Sequence, residues 1–132
     1  MFIKSFLVAF PLFLIIDMIW LGFIARDFYD KHLEHLLKES VNWPPAIILY
    51  LFFIIALVFF VIVPSIKKSS LKQAALNGAF FGFITYATYD LTNLATLEGW
   101  PIIVTLVDIA WGSFIGMSVS AITYLIITKA LR

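Results

Sequence analysis

Three aspartates lie inside segments of the sequence that are otherwise apolar: Asp17, Asp90 and Asp108. An ionised aspartate at the centre of a membrane-spanning helix costs on the order of 2.5–3.5 kcal/mol, so such side chains normally face the bundle interior and serve a function. Clustered carboxyl groups disfavour one another's ionisation, so at least one of the three is expected to be protonated at neutral pH. A charged carboxyl beside a neutral one is what acid–base catalysis or proton coupling requires, and all three are therefore candidate catalytic residues.

The three aspartates are predicted to share one depth. Each lies seven to nine positions from the residue at which its apolar segment ends. At a rise of 1.5 Å per residue, all three would lie roughly 10–14 Å below the same membrane surface. The alternative is that protonated Asp, Asn and Thr join neighbouring helices by hydrogen bonds worth about 0.6–2 kcal/mol each. That alternative would explain a single aspartate, whereas three at one level favour a functional site.

Six further side chains near this layer are candidate ligand-binding residues. Trp20 shares a helical face with Asp17, and Trp111 shares one with Asp108. The third apolar segment carries a polar band with two tyrosines and an asparagine around its aspartate. His35 belongs to a polar stretch expected above the acids, from which it could act as a proton relay. The set comprises Trp20, His35, Tyr86, Tyr89, Asn93 and Trp111.

The two histidines, His32 and His35, are three positions apart and would share one side of a helix. This spacing is compatible with a pair of metal ligands, but a polar flank at the level of the lipid headgroups is the favoured interpretation. No metal site is predicted, and the sequence identifies no cofactor.

The composition is that of a membrane protein. Of 132 residues, 63% are hydrophobic and 13% charged, against about 45–50% and about 25% in soluble domains. The mean hydropathy is +1.04. The absence of cysteine excludes thiolate chemistry, and the scattered basic residues, with a net charge of +1, argue against a nucleic-acid partner. No nucleotide-binding, serine-hydrolase or zinc-protease motif occurs.

The apolar segments predict an all-α integral membrane four-helix bundle that forms a single domain over residues 1–132. A span needs about 20 apolar residues, and four segments qualify: about 3–25, 44–65, 73–97 and 101–128. Pro44 and Pro45 suit the first turn of the second span. Gly78 and Gly82 have the small-xxx-small spacing that allows close helix approach. The string from Gly99 to Pro101 predicts a tight turn.

Residues 27–39 predict an amphipathic helix in the headgroup plane, between the first two spans. Its apolar side carries Tyr29 and Leu33, and its other side carries charged residues such as Lys31. Lys and Arg flanking the spans favour both termini in the cytoplasm, on the inner side of the membrane. Six of these residues fall on the side of the termini, namely Lys4, Lys67, Lys68, Lys72, Lys129 and Arg132, and three on the other, namely Arg26, Lys31 and Lys38.

Five strings appear in order along the chain: Asp17-x-x-Trp20-Leu-Gly, Val41-Asn-Trp-Pro44, Tyr86-Ala-Thr-Tyr-Asp-Leu-Thr-Asn-Leu-Ala-Thr96, Gly99-Trp-Pro101 and Asp108-x-Ala-Trp-Gly112. Together they resemble the bacterial membrane family catalogued as domain of unknown function 2177, over nearly the whole chain. The resemblance implies a four-span membrane protein and attaches no substrate or reaction to it. Its motif positions correspond to Asp17, Trp20, Asp90, Asn93, Trp100, Asp108 and Trp111.

Three functions are compatible with this pattern. The first is binding, with or without modification, of a lipid or isoprenoid-like ligand, with Asp90 or Asp108 as proton donor or acceptor. The second is proton-coupled transport of a small molecule by a homo-oligomer, since four short helices enclose little volume. The third is a structural membrane subunit whose acids bind a partner helix. The first is favoured, because the first and second spans are almost wholly apolar below the aspartates, which disfavours a transport path.

Overall fold

The computed structural model describes residues 1–37 and 41–131, and over these ranges the regular structure is entirely helical. The helices are α1 (Phe2–Ile24), α2 (Arg26–Leu33), α3 (Trp43–Lys67), α4 (Leu71–Thr96) and α5 (Ile102–Leu131). The predicted all-α class is confirmed. Lys38 and Glu39, at the end of the predicted amphipathic segment, and Arg132, used in the charge count, lie outside the described residues.

Three of the helices, α1, α3 and α5, are long and apolar enough to cross a membrane. Helix α4, with 26 residues, is equally long. It falls short in hydropathy because its second half carries the polar band around Asp90. By composition, therefore, three of the four predicted spans meet the requirement among the described residues.

Local sequence explains where the helices begin and turn. Pro44 and Pro45 occupy the first turn of α3, where a missing N–H leaves no hydrogen bond unmade. Ser70 caps α4, because its hydroxyl accepts the backbone N–H of Gln73 at 3.0 Å. Gly99 has a φ of +77° in the predicted turn between α4 and α5, a conformation that costs glycine little.

Helices α4 and α5 lie against each other through glycines. A Cβ atom added at Gly82 would overlap the carbonyl group of Gly112, and one added at Gly78 would overlap the carbonyl oxygen of Gly116. The two backbones therefore touch directly, as the spacing of Gly78 and Gly82 predicts.

The apolar core occupies the end of the bundle that holds both chain termini. It combines the first half of α1 with the second halves of α3 and α5, and its fully buried members include Ala9, Ile54, Leu57, Ile115 and Val119. The other end, here called the α2 end, contains the second half of α1, α2, the first half of α3, the second half of α4 and the first half of α5. The acids of the interior lie there, whereas the buried polar residues of the other end are the hydroxyl-bearing Ser5, Ser65, Ser120 and Thr123.

Candidate functional site

A cavity of about 650 Å³ lies at the α2 end and is lined by residues of all five helices. This volume is within the range of about 300–1,000 Å³ that small-molecule sites occupy. Its charged lining consists of Asp17, Asp30, Asp90, Asp108 and Arg26. Its amphipathic aromatic lining consists of Trp20, Tyr29, Tyr50, Tyr86, Tyr89 and Trp111, and the remaining lining is mainly Phe and Leu. The three aspartates singled out from the sequence therefore face one space.

Asp17 is tied to α5. The indole Nε1–H of Trp111 donates to its carboxylate oxygen Oδ1 at 3.2 Å. The carboxyl group is mostly buried, at 5% exposure, and Tyr50 from α3 lies beside it. This aspartate therefore joins helices α1 and α5, as the hydrogen-bonding alternative expects.

Asp108 is tied to α2 through a short chain of hydrogen bonds. The hydroxyl of Tyr29 donates to Oδ1 of Asp108 and accepts the Nε1–H of Trp20 at 3.2 Å. The indole rings of Trp20 and Trp111 stack with centroids 4.4 Å apart and planes within 6°. The stack connects the hydrogen bond on Asp17 to the one on Asp108, so the two acids belong to one aromatic and polar network.

Tyr29 supplies a neutral donor to that network. Burial raises the pKa of its phenol above the ordinary value, and the adjacent Asp108 carboxyl raises the pKa further. The phenol therefore keeps its proton at any physiological pH and remains available to Asp108.

Asp90 differs from the other two acids. Its side chain has 0% exposure, and no N–H or hydroxyl of the described residues donates to either carboxyl oxygen. The carboxyl group of Asp108 lies within hydrogen-bonding reach, so the two acids can share a proton. A buried acceptor left unpaired costs about 1–3 kcal/mol, and more when it is charged. Because Asp90 also lines the cavity, a proton shared with Asp108 leaves further acceptor positions on its oxygens for a molecule bound there.

The backbone at Asp90 is well supported although its side chain is not. The Thr105 hydroxyl lies 3.5 Å from the Asp90 carbonyl oxygen, and Trp100 Nε1 donates to the same hydroxyl at 3.1 Å. The ring of Trp100 also packs edge-on against Tyr89. The turn between α4 and α5 thus helps to hold the backbone of α4 in place at Asp90.

Two backbone features position the aromatic lining. The ring of Tyr86 lies over Gly112, where an added Cβ atom would overlap it. Helix α1 widens to a π-helical turn over Trp20–Ile24, directly after Asp17, and the N–H of Ala25 bonds to the carbonyl of Trp20 at 2.7 Å. Such turns occur frequently at functional sites, because the extra residue redirects side chains.

The family model described as "Predicted membrane protein (DUF2177)" matches residues 2–125. The chain belongs to this family. The match includes every residue that lines the cavity. No curated protein and no solved structure matches the chain.

Most of the candidate residues of this DUF2177 protein come together in the cavity. Two do not line it. Asn93 is half-buried on α4, one turn beyond Tyr89. His35 is exposed, and its Nε2 lies 3.0 Å from the carbonyl oxygen of Gly99, so it joins the segment after α2 to the α4–α5 turn. His32 Nδ1 lies 2.9 Å from the carbonyl oxygen of Phe28 within its own helix.

Among residues 1–37 and 41–131, no group of three or more His, Asp or Glu side chains is arranged to hold a metal ion. The three aspartates share the cavity without converging on a common ligation point. Their oxygens are acceptors on the cavity wall, with Asp90 beside Asp108 and Asp17 bonded to Trp111, which suits hydrogen bonding to an organic ligand.

Two functional side chains of the cavity were not among the candidates from the sequence. Tyr29 belongs to the apolar side of the predicted amphipathic segment, so the pattern identifies its ring as apolar and does not indicate the hydrogen bonds of its hydroxyl. Tyr50 is the one polar side chain between Ala46 and Val63, and that isolation is a signal that could have identified it.

Proposed function

We propose that this protein binds an amphipathic, lipid-like ligand, with its polar head at Asp90 and its chain along the apolar wall of the cavity. The observation that carries the proposal is the buried carboxyl group of Asp90, to which no N–H or hydroxyl of the described residues donates, in a cavity of ligand size. A ligand donor would offset the roughly 1–3 kcal/mol that this unmade hydrogen bond costs.

The apolar lining supports a ligand with a hydrocarbon chain. Leu21 on α1 and Leu49 on α3 line the cavity and are 39% and 62% exposed on the helix bundle. The cavity therefore reaches the surface between two helices that are apolar enough to span a membrane. A chain held there would lie between the cavity and the surrounding lipid.

The roles of the aspartates differ within this proposal. Asp17 and Asp108 already accept hydrogen bonds from Trp111 and Tyr29, and they hold the walls together. Asp90 is the group that contacts the head. Were a reaction to take place, Asp90 would be its proton donor or acceptor, because it is the one of the three acids that receives no N–H or hydroxyl donor from the described residues.

The test is native mass spectrometry of the protein extracted in a mild, uncharged detergent. We expect the wild type to carry a bound lipid-like mass and Asp90→Asn to lose most of it. The matched control is Asp27→Asn, the same chemical change at an exposed residue of α2 outside the cavity lining. A wild-type protein without such a mass, or Asp90→Asn with wild-type occupancy, would contradict the proposal.

The orientation of the bundle belongs to the same proposal. The excess of Lys and Arg beside the termini favours a bacterial inner membrane protein with both termini in the cytoplasm, which places the cavity in the outer half of the bilayer. Since the chain has no cysteine, single substitutions give clean labelling. A membrane-impermeant maleimide should label Glu98→Cys in intact cells and Ser69→Cys only after permeabilisation, and the reverse pattern would refute the orientation.

Proton-coupled transport stays a prediction. Three buried hydroxyls, Ser5, Ser120 and Thr123, lie at the end that holds the termini, but they have no hydrogen-bond partners among the described residues and form no chain to Asp17. A transport path would have to continue from Asp17 to the end that holds the termini. Directly beyond Asp17 on α1 lies Phe13, at 2% exposure, followed by the fully buried Ala9. These residues belong to the apolar core, which closes the cavity on that side.

A further inference from the structure

We infer that the head group bound at Asp90 is a protonated amine or ammonium rather than a phosphate or an uncharged hydroxyl. The inference rests on the proposed function and adds the chemical class of the ligand. It follows from the charge of the lining, from the kind of donors already present, and from the aromatic rings around Asp90.

The charge of the lining favours a cation. Four aspartates line the cavity, and Arg26 is the one basic side chain among the described lining residues. Arg26 is exposed at the start of α2. Phosphate recognition normally uses clustered Arg or Lys, or several backbone N–H groups, and four acids would repel such a group.

The hydrogen-bond donors to the cavity aspartates are uncharged, so they do not neutralise the negative charge of these side chains. The partners of Asp17 and Asp108 are an indole N–H and a phenol O–H, neither of which carries charge. Asp90 receives no N–H or hydroxyl donor from the described residues, and its neighbour within hydrogen-bonding reach is another acid, Asp108. A hydroxyl head could donate one hydrogen bond, whereas an ammonium group has several donors together with a positive charge.

The aromatic lining favours the same class. Tyr86 and Tyr89, on the same helix as Asp90, line the cavity together with Tyr50 and the stacked pair of Trp20 and Trp111. The faces of such rings attract organic cations, and the attraction is stronger where water is excluded. A carboxylate set among aromatic rings is the combination that binds ammonium groups.

The test measures binding of four probes to the full chain in an uncharged detergent, with tryptophan fluorescence as the signal because Trp20 and Trp111 line the cavity. The probes are dodecylamine, dodecanol, dodecyl phosphate and butylamine. We expect dodecylamine to bind at least roughly tenfold more tightly than each of the other three, because a hydrogen bond to a charged group adds about that much affinity. Asp90→Asn should lose this preference, and Asp27→Asn should keep it.

The outcomes separate this inference from the proposed function. Equal or tighter binding of dodecanol or dodecyl phosphate overturns the amine assignment and leaves the lipid-like ligand in place. Equal binding of butylamine supports the amine and overturns the hydrocarbon chain. No binding of any probe overturns both. If Asp90→Asn does not fold, the ranking of the four probes on the wild type decides the question by itself.

Discussion

Replacing Gly82 with alanine tests the backbone contact that holds α4 against α5. The added Cβ atom would lie 2.7 Å from the carbonyl carbon of Gly112, and closer still to its oxygen. Ordinary van der Waals contact begins at 3.4 Å. The carbon alone would require the two helices to separate by about 0.7 Å, and the oxygen requires more. A gap of about 0.5–1 Å already forfeits roughly a quarter to a half of the attraction of each contact.

The expected cost follows from two opposing effects. Overpacking typically destabilises by about 1–3 kcal/mol, and the upper value applies here because backbone cannot rotate away as a side chain can. Alanine recovers about 1 kcal/mol of helix propensity relative to glycine. Gly82→Ala should thus lower the free energy of unfolding by about 2 kcal/mol, which is about a 30-fold change in the ratio of folded to unfolded protein.

Gly22→Ala is the matched control, because a Cβ atom added there meets nothing within 4 Å. It should be neutral or stabilise by up to about 1 kcal/mol. Thermal unfolding in detergent, followed by far-ultraviolet circular dichroism, compares the two variants with the wild type. A Gly82→Ala protein that unfolds at the same temperature as Gly22→Ala, or higher, would refute direct contact between the two backbones.

Two further substitutions test the connections of α2 and its following segment. Tyr29→Phe removes the donor to Asp108 and the acceptor from Trp20, so unfolding should become easier by about 1–3 kcal/mol. Burial and Asp108 raise the pKa of Tyr29 in the folded protein, so above pH about 10 the unfolded chain loses the phenol proton first. The difference in stability between wild type and Tyr29→Phe should therefore be constant below pH about 10 and shrink above it. A difference that grows above that pH in circular dichroism melts would contradict this. Gly99→Ala should destabilise the protein by about 1–2 kcal/mol in the same melts, because the φ of +77° strains alanine and the added Cβ lies 3.1 Å from His35 Nε2. A melting temperature like that of Gly22→Ala would show that the turn is not constrained.

The sequence predicts the helical class well because apolar length and a few special residues decide it. Pro44 and Pro45 mark the beginning of α3, and Gly99 marks the turn before α5. Gly78 and Gly82 identify a face of close helix approach, and the structure adds which glycines of α5 they meet. Helical spacing predicts which side chains share a face of one helix, but not which face of a neighbouring helix packs against it.

The contacts within the site could not be predicted for that reason. Asp17 meets Trp111, which is 94 positions away, and Tyr29 meets Asp108 across 79 positions. Both pairs depend on how α1 and α2 dock against α5, which no local pattern encodes. The difference between Asp90 and the other two acids follows only from those pairings, since the three are alike in residue type and in apolar surroundings.

The π-helical turn at Trp20–Ile24 has a consequence for how this region tolerates changes in length. A five-residue turn amounts to one residue inserted into an α-helix, so deleting a single residue there would let α1 continue with ordinary geometry into Ala25. The helix on both sides of the deletion would then keep its phase, because the residue removed is the one that the wider turn accommodates. The carboxyl group of Asp17 would stay on the side of the indole of Trp111, whereas a one-residue deletion within the regular helix α4 would rotate one half of it against the other by about 100°.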